Sequence, residues 1–256
     1  MNLGSLSGLA GSAWHPVLGA VRYQAQGMST DPDQQVRQTL GLMGKRVAED
    51  SSDPTFVSRV RRVFDVRMYP GVRGTGAGSG VVPGTEDEID LCEKAWAHTK
   101  AGIKFQRDEV TGDGVGGYPG DEVVETIIRP VDMARFMDEG SAVGDCDDFS
   151  MYLACCLKAL GIPCSFATTA ADSRDPRQFS HVYVVAYPKS GNGMRMRFPL
   201  DASHGEYPGW ETRGLGRYQE WPVLDRASWF IGNAVLQVAV IAGLVLGVRY
   251  FAGRFA

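Results

Sequence analysis

Cys146 stands at the head of an apolar stripe. Gly144-Asp145-Cys146-Asp147-Asp148 is followed by Phe149, Leu153, Cys156, Leu157 and Leu160, and the run is closed by Gly161 and Pro163. That pattern bounds one helix with the cysteine in its first turn. Unpaired backbone N–H groups and the positive end of the helix dipole favour thiolate over thiol there, and the thiolate is the form that attacks a carbonyl. Asp147 and Asp148 suit the same dipole but oppose a neighbouring anion, so activation calls for a cationic imidazole partner.

Of the four histidines, His181 lies in SHVYVVAY, where His181, Tyr183 and Val185 share one strand face. A turn-rich link from Pro188 to Gly193 leads into a second strand, Met194 to Leu200, as a hairpin would. If Tyr187 pairs near Met194, opposed residue numbers sum to about 381 and His181 falls opposite Leu200 or Asp201. The expected set is therefore Cys146 as nucleophile, His181 as base and Asp201 as the carboxylate that orients the base. His204, in the Gly/Pro-rich exit from Ser203 to Gly209, is the rival base. Cys92, Cys155, Cys156 and Cys164 are expected to be packing residues.

Several elements must hold these groups in place. Asp31-Pro32 and Asp53-Pro54 each pair an N-cap carboxylate with proline at the first helical position. They open the stripes Val36, Leu40, Met43, Val47 and Phe56, Val60, Val63, Phe64, with Arg59, Arg61 and Arg62 on a solvated face. Thr85 with Glu88 predicts a capping box for a helix whose Ile89, Cys92 and Trp96 line one face, with His98 at the surface or partly packed. The segment Val123 to Ile128 then meets Pro130, and a short helix is expected over Val131 to Met137. The first thirty residues, rich in Gly, Ser and Ala without a sustained period, are expected to be irregular. The run GTGAGSG at Gly74 to Gly80 is a spacer, because no Lys-Ser or Lys-Thr follows it to make a phosphate loop.

With 256 residues, 44% of them hydrophobic and 22% charged, and a net charge of −4, the chain has room for an enzyme core and no basic excess that would mark nucleic acid as a partner. The five cysteines contain no CxxC pair and no readable disulfide framework, which fits a reducing compartment. Met1 to Ala13 lacks the charged and apolar regions of a signal peptide. Between Arg226 and Arg249 lie 22 uncharged residues, enough helix to cross a hydrocarbon layer of about 30 Å. This predicts a single-pass membrane anchor with the catalytic part on the cytoplasmic side. Gly243 and Gly247 are spaced for close approach of two such helices and hence for a homodimer. Asp108, Glu109 and Asp113 do not make a calcium-ligand spacing, and neither metal nor cofactor is expected.

The segments GDCDDFSMYLACCLKALGIPCSF, SHVYVVAY and RFPLDAS, with Cys, His and Asp in that order, resemble the core of the transglutaminase-like superfamily. The resemblance covers about a hundred residues around these segments, and the Ile-Ile-Arg-Pro stretch upstream is similar to bacterial and phage-encoded members. It implies an α+β papain-like fold in which a cysteine at a helix N-terminus packs on an antiparallel sheet, with Cys146, His181 and Asp201 in the roles already given. No residue upstream of the cysteine matches the family's oxyanion stabiliser, and the backbone N–H of Cys146 is one donor. The expected organisation is a helical region at 1–73, a linker at 74–84, a catalytic domain at 85–225 and a membrane helix at 227–250. The expected activity is attack on amide bonds of a protein or peptide through an acyl-thioester, ending in hydrolysis. The alternatives are a protein-crosslinking transglutaminase and a non-catalytic, membrane-tethered assembly protein, for example of a phage particle.

Overall fold

Aspartates set the helix starts. In the computed structural model, which describes the backbone of 9–15 and 19–25 and residues 31–64, 87–106, 127–212, 214 and 216–224, Asp31 caps α1 (Pro32–Asp50) and Asp53 caps α2 (Pro54–Val63). Asp31 accepts the N–H groups of Asp33 and Gln34, and Asp53 those of Thr55 and Phe56, with proline at the first helical position in both. Helix α3 (Glu88–Gly102) is capped by Asp87, which accepts the Ile89 N–H, so the cap is not the Thr85 that the spacing predicts. Asp87 adjoins the helix directly and reaches the N2 donor, which is why it takes the role. Helix α4 (Pro130–Asp138) begins on its proline, and α5 runs from Cys146 to Ala159.

Among the described residues, helix α5 lies at the centre of the core. It touches α1, α2, α3 and α4 and the strands β4 (Val143–Gly144), β5 (Cys164–Thr169) and β6 (His181–Ala186). The stripe Phe149, Leu153, Cys156, Leu157 and Leu160 is buried as its period requires, and so are Met151, Tyr152, Ala154 and Cys155 on the other faces. A helix sandwiched between helices and a sheet has no solvated side, so the amphipathic stripe understates its burial. Leu40, Met43, Val47, Phe56, Val60 and Phe64 join the same core, whereas Val63 is largely exposed at the end of α2.

Strands β7 (Phe198–Leu200) and β8 (Tyr218–Pro222) complete a four-stranded antiparallel sheet of order β7-β6-β5-β8. Val182, Val184 and Ala186 face α5, and Tyr183 and Val185 form a second small cluster with Ala167 on the opposite face. The β6–β7 register corrects the expected one. Val184 lies opposite Leu200 and Ala186 opposite Phe198, so opposed numbers sum to 384, and the pairing continues through the bridge between Lys189 and Arg195. The turn centres on Asn192, where Ser190 N–H bonds Met194 O and Gly193 N–H bonds Ser190 O. The turn lies later than the Pro188 to Gly193 link suggests, so the pairing differs from the expected one by three residues, and His181 and Asp201 are not directly opposed.

Two further differences follow from backbone pairing that side-chain patterns do not report. Leu9–His15 (β1) and Gly19–Ala25 (β2) form an antiparallel hairpin with Ala13 opposite Val21, where an irregular segment was expected. Gly, Ser and Ala give little alternation of polarity, and alternation is what a pattern argument needs. Lys104–Phe105 (β3) pairs in parallel with β4, a contact between two-residue strands too short to have any period. Ile127 and Ile128 are buried without strand structure, while 123–126 lie outside the described residues. Also outside them are the glycine run, Asp108, Glu109, Asp113 and the apolar stretch with Gly243 and Gly247. Among the described residues no helix is long and apolar enough to cross a membrane.

Candidate active site

The turn that presents Cys146 is held from three sides. Asp145 is extended and caps α5, accepting the Asp147 N–H at 3.1 Å. The strand leading into it is braced by β3 and the residue after it, with Lys104 N–H on Ala142 O at 3.0 Å and Gln106 N–H on Gly144 O at 2.8 Å. Asp148 turns inward and accepts the buried Ile128 N–H at 2.9 Å. Its carboxylate fills the space over Gly144, where an added Cβ would stand 2.6 Å from Asp148 Oδ2. The two aspartates after the cysteine are thus buried structural acceptors; Asp147 Oδ1 takes the Asp148 N–H at 2.8 Å.

One turn further along, Ser150 joins the helix to the strand that carries the histidine. Its hydroxyl lies 2.6 Å from Cys146 O and 3.1 Å from Val182 O, so one proton is shared between the two carbonyls. This clasp sets the first turn of α5 beside the start of β6. Cys146 is half-buried and packed against the core, and none of the five cysteines is in a disulfide.

His181 begins β6 and is 8% exposed. Its Nε2 is 2.8 Å from Asp201 Oδ2. Asp201, one residue past β7, is fully buried, and four donors converge on its carboxylate. Oδ2 takes His181 and the Thr212 hydroxyl at 2.7 Å, while Oδ1 takes the Ser203 hydroxyl at 3.0 Å and the His204 N–H at 2.9 Å. Its carbonyl accepts Trp96 Nε1 at 2.9 Å and Gly205 N–H at 2.9 Å; a Cβ on Gly205 would lie 2.2 Å from that oxygen. Burial alone would raise the Asp201 pKa, but the hydrogen bond and charge of His181, with the His204 and Thr212 donors, bring it down to about 2. Asp201 is therefore a permanent anion at neutral pH, and its pull fixes His181 with Nε2 toward the carboxylate and Nδ1 on the other side of the ring.

His204 is exposed, and it reaches the Asp201 carboxylate through its backbone N–H, whereas His181 does so through its ring. Its ring stands edge-on to His181 at 4.6 Å and against Phe105 at 5.1 Å. Phe105 is 45% exposed, so these two rings form an open aromatic rim beside His181. Tyr183 stacks on His181 from the sheet face, with ring centroids 5.9 Å apart. By contrast, burial pushes the Cys92 and Cys155 thiols up, and Cys156 to about 12, so these three are inert packing groups. Cys164 is buried as well.

Sequence reasoning missed Trp96, Ser150, Thr212 and Gln106. Ser150 alone had a local signal, one helical turn after Cys146. Trp96, Thr212 and Gln106 reach the site through tertiary contacts with no fixed spacing.

No protein-family model and no curated protein matches the chain. Two solved structures are similar to it. One is a candidate cysteine protease from Cytophaga hutchinsonii, 14% identical, TM-score 0.32, matched over 78% of this chain and 61% of that one. Another is a candidate protease from Parabacteroides distasonis, 13% identical, TM-score 0.35, matched over 81% of this chain and 41% of that one. The chain thus spans about three fifths and two fifths of those proteins. A likeness this distant carries no chemistry, and what stands independently of it is a mixed α+β fold with a buried His–Asp pair at the edge of an antiparallel sheet.

Proposed function

We propose that this chain is a thiol enzyme of the transglutaminase-like, papain-like type that cleaves amide bonds of a protein or peptide. The observation that carries the reading is the buried His181–Asp201 pair, whose carboxylate is saturated by donors. In this reaction His181 Nδ1 takes the proton of Cys146 and the thiolate adds to the amide carbonyl. The tetrahedral oxyanion is met by the Cys146 N–H at the head of α5. Collapse breaks the C–N bond, the leaving amine takes the proton from His181, and an acyl-thioester remains. Water then attacks with His181 as base, releasing the acid and the thiol.

Two measurements test the reading. The full chain is incubated with a mixed peptide substrate and a labelled primary amine, and products are compared by mass spectrometry with those of Cys146→Ala. Cleavage that disappears in the variant is the expected result, amine incorporation would make the enzyme a crosslinker, and no turnover would refute catalysis. In parallel, chloroacetamide at mildly acidic pH should modify Cys146 at least about tenfold faster than Cys92, Cys155 or Cys156, with the advantage lost in His181→Ala.

We further propose that residues 227–250 attach the chain to a membrane, on the strength of their 22 uncharged residues. Flotation of the full chain with lipid vesicles, abolished by removing 227–256, is the expected outcome. Equal sedimentation of both forms away from lipid would reject it.

A further inference from the structure

We propose that His181, Asp201 and His204 form a binding site for a divalent metal ion of the zinc class, and that its occupation switches the thiol site off. The inhibitory half of this proposal rests on the thiol reading above; the binding half does not. One donor atom from each of the three side chains lies within 4.8 Å of those of the other two. The two imidazole rings meet at 80° with centroids 4.6 Å apart, which lets their in-plane lone pairs converge from different directions on one point. Asp201 already touches both histidines, through His181 Nε2 and the His204 N–H.

Donor chemistry selects the ion. Two imidazoles and one carboxylate suit Zn²⁺, Co²⁺ or Cu²⁺, whereas Ca²⁺ and Mg²⁺ need more oxygens than this cluster offers. The outer shell is also in place. Ser203 bridges Asp201 Oδ1 and His204 Nδ1, at 3.0 and 2.9 Å, and Thr212 holds Asp201 Oδ2. His204 is exposed, so an ion enters from solvent on the side of the aromatic rim.

Inhibition follows from proton bookkeeping on His181. A metal on Nε2 takes the lone pair that forms when the Nε2 proton leaves. In the neutral ring that proton moves to Nδ1, and from the imidazolium one proton goes to solvent while Nδ1 keeps its own. Either way Nδ1 carries hydrogen and has no lone pair to receive the proton of Cys146.

The test uses the untagged full chain. Cobalt is titrated by visible absorption and zinc by calorimetry, with wild type, Cys146→Ala, His204→Ala and His204→Gln. One equivalent should bind to wild type and to Cys146→Ala, and both His204 variants should bind about tenfold or more weakly, with unchanged circular dichroism. Zinc should slow alkylation of Cys146 by about tenfold or more in wild type and leave the rate in His204→Ala unaltered. Equal affinity in the His204 variants, or loss of binding in Cys146→Ala, overturns the site. Stoichiometric binding with no effect on alkylation overturns the switch. If Cys146 is unreactive in metal-free protein the thiol chemistry fails, and the cobalt and zinc titrations alone then decide the metal site.

Discussion

Asp201 is the residue on which the proposed chemistry and the pH dependence of stability both turn. Asp201→Asn keeps the volume but removes the anion beside His181 and replaces one of two oxygens, each of which accepts two hydrogen bonds, with a donor that must face either His181 and Thr212 or Ser203 and the His204 N–H. The ring loses its fixed tautomer, and kcat should fall by about 10² to 10⁴-fold with a smaller change in KM, as steady-state kinetics would reveal. The same carboxylate ties folding to pH. Its pKa is lowered from 3.8 to about 2, so the folded state holds fewer protons than the unfolded one between those values. The stabilisation is complete above pH 4, about 2 kcal/mol, and vanishes as pH falls through 2. Urea melts from pH 6 to pH 2 should show this slope in wild type and a shallower one in the variant; parallel curves would mean the carboxylate is not so held. The places of Cys146 at a helix start, His181 at a strand start and Asp201 just past the next strand were legible from residue type and local pattern. The donors around Asp201 were not, because Trp96 and Thr212 lie far away in sequence.

At the level of elements, the site depends on two short backbone contacts. β4 and the cap of α5 meet where Asp148 folds over Gly144, leaving no room for a side chain. Gly144→Ala would put Cβ against the Asp148 carboxylate and displace it from the Ile128 N–H. A loss of about 1–3 kcal/mol is expected, together with slower alkylation of Cys146 as the first turn of α5 shifts. Wild-type values for both would show that the turn adapts. Helix existence and caps were readable, since Asp31-Pro32 and Asp53-Pro54 act as their types require. Hairpin register was not, because Pro188 to Met196 offers several turn positions and only the pairing of Lys189 with Arg195 selects one.

Across the whole molecule, the helices before the glycine run share one core with the elements that carry the site. Asp50, at the end of α1 and almost fully buried, pairs with Arg129 and lies 3.4 Å from the Val131 N–H at the start of α4. Asp50→Ala strands the guanidinium. It should destabilise the protein by about 2–3 kcal/mol, less than a wholly buried pair because Arg129 retains contact with water. Chemical denaturation measures this directly, and a change under about 0.5 kcal/mol would show that α1 is held by packing alone.

By itself the sequence determined the helix starts, the thiol in a first turn, the strand bearing His181 and the aspartate that follows the next strand. These are local matters, governed by capping, period and turn chemistry within a few residues. Only the tertiary structure decided that the hairpin slips by three residues, that Ser150 clasps α5 to β6, that four donors saturate Asp201 and that His204 stands edge-on to His181. Each of these is a contact between segments brought together by burial around α5, and burial depends on the summed shape of all its neighbours, which no window of sequence contains.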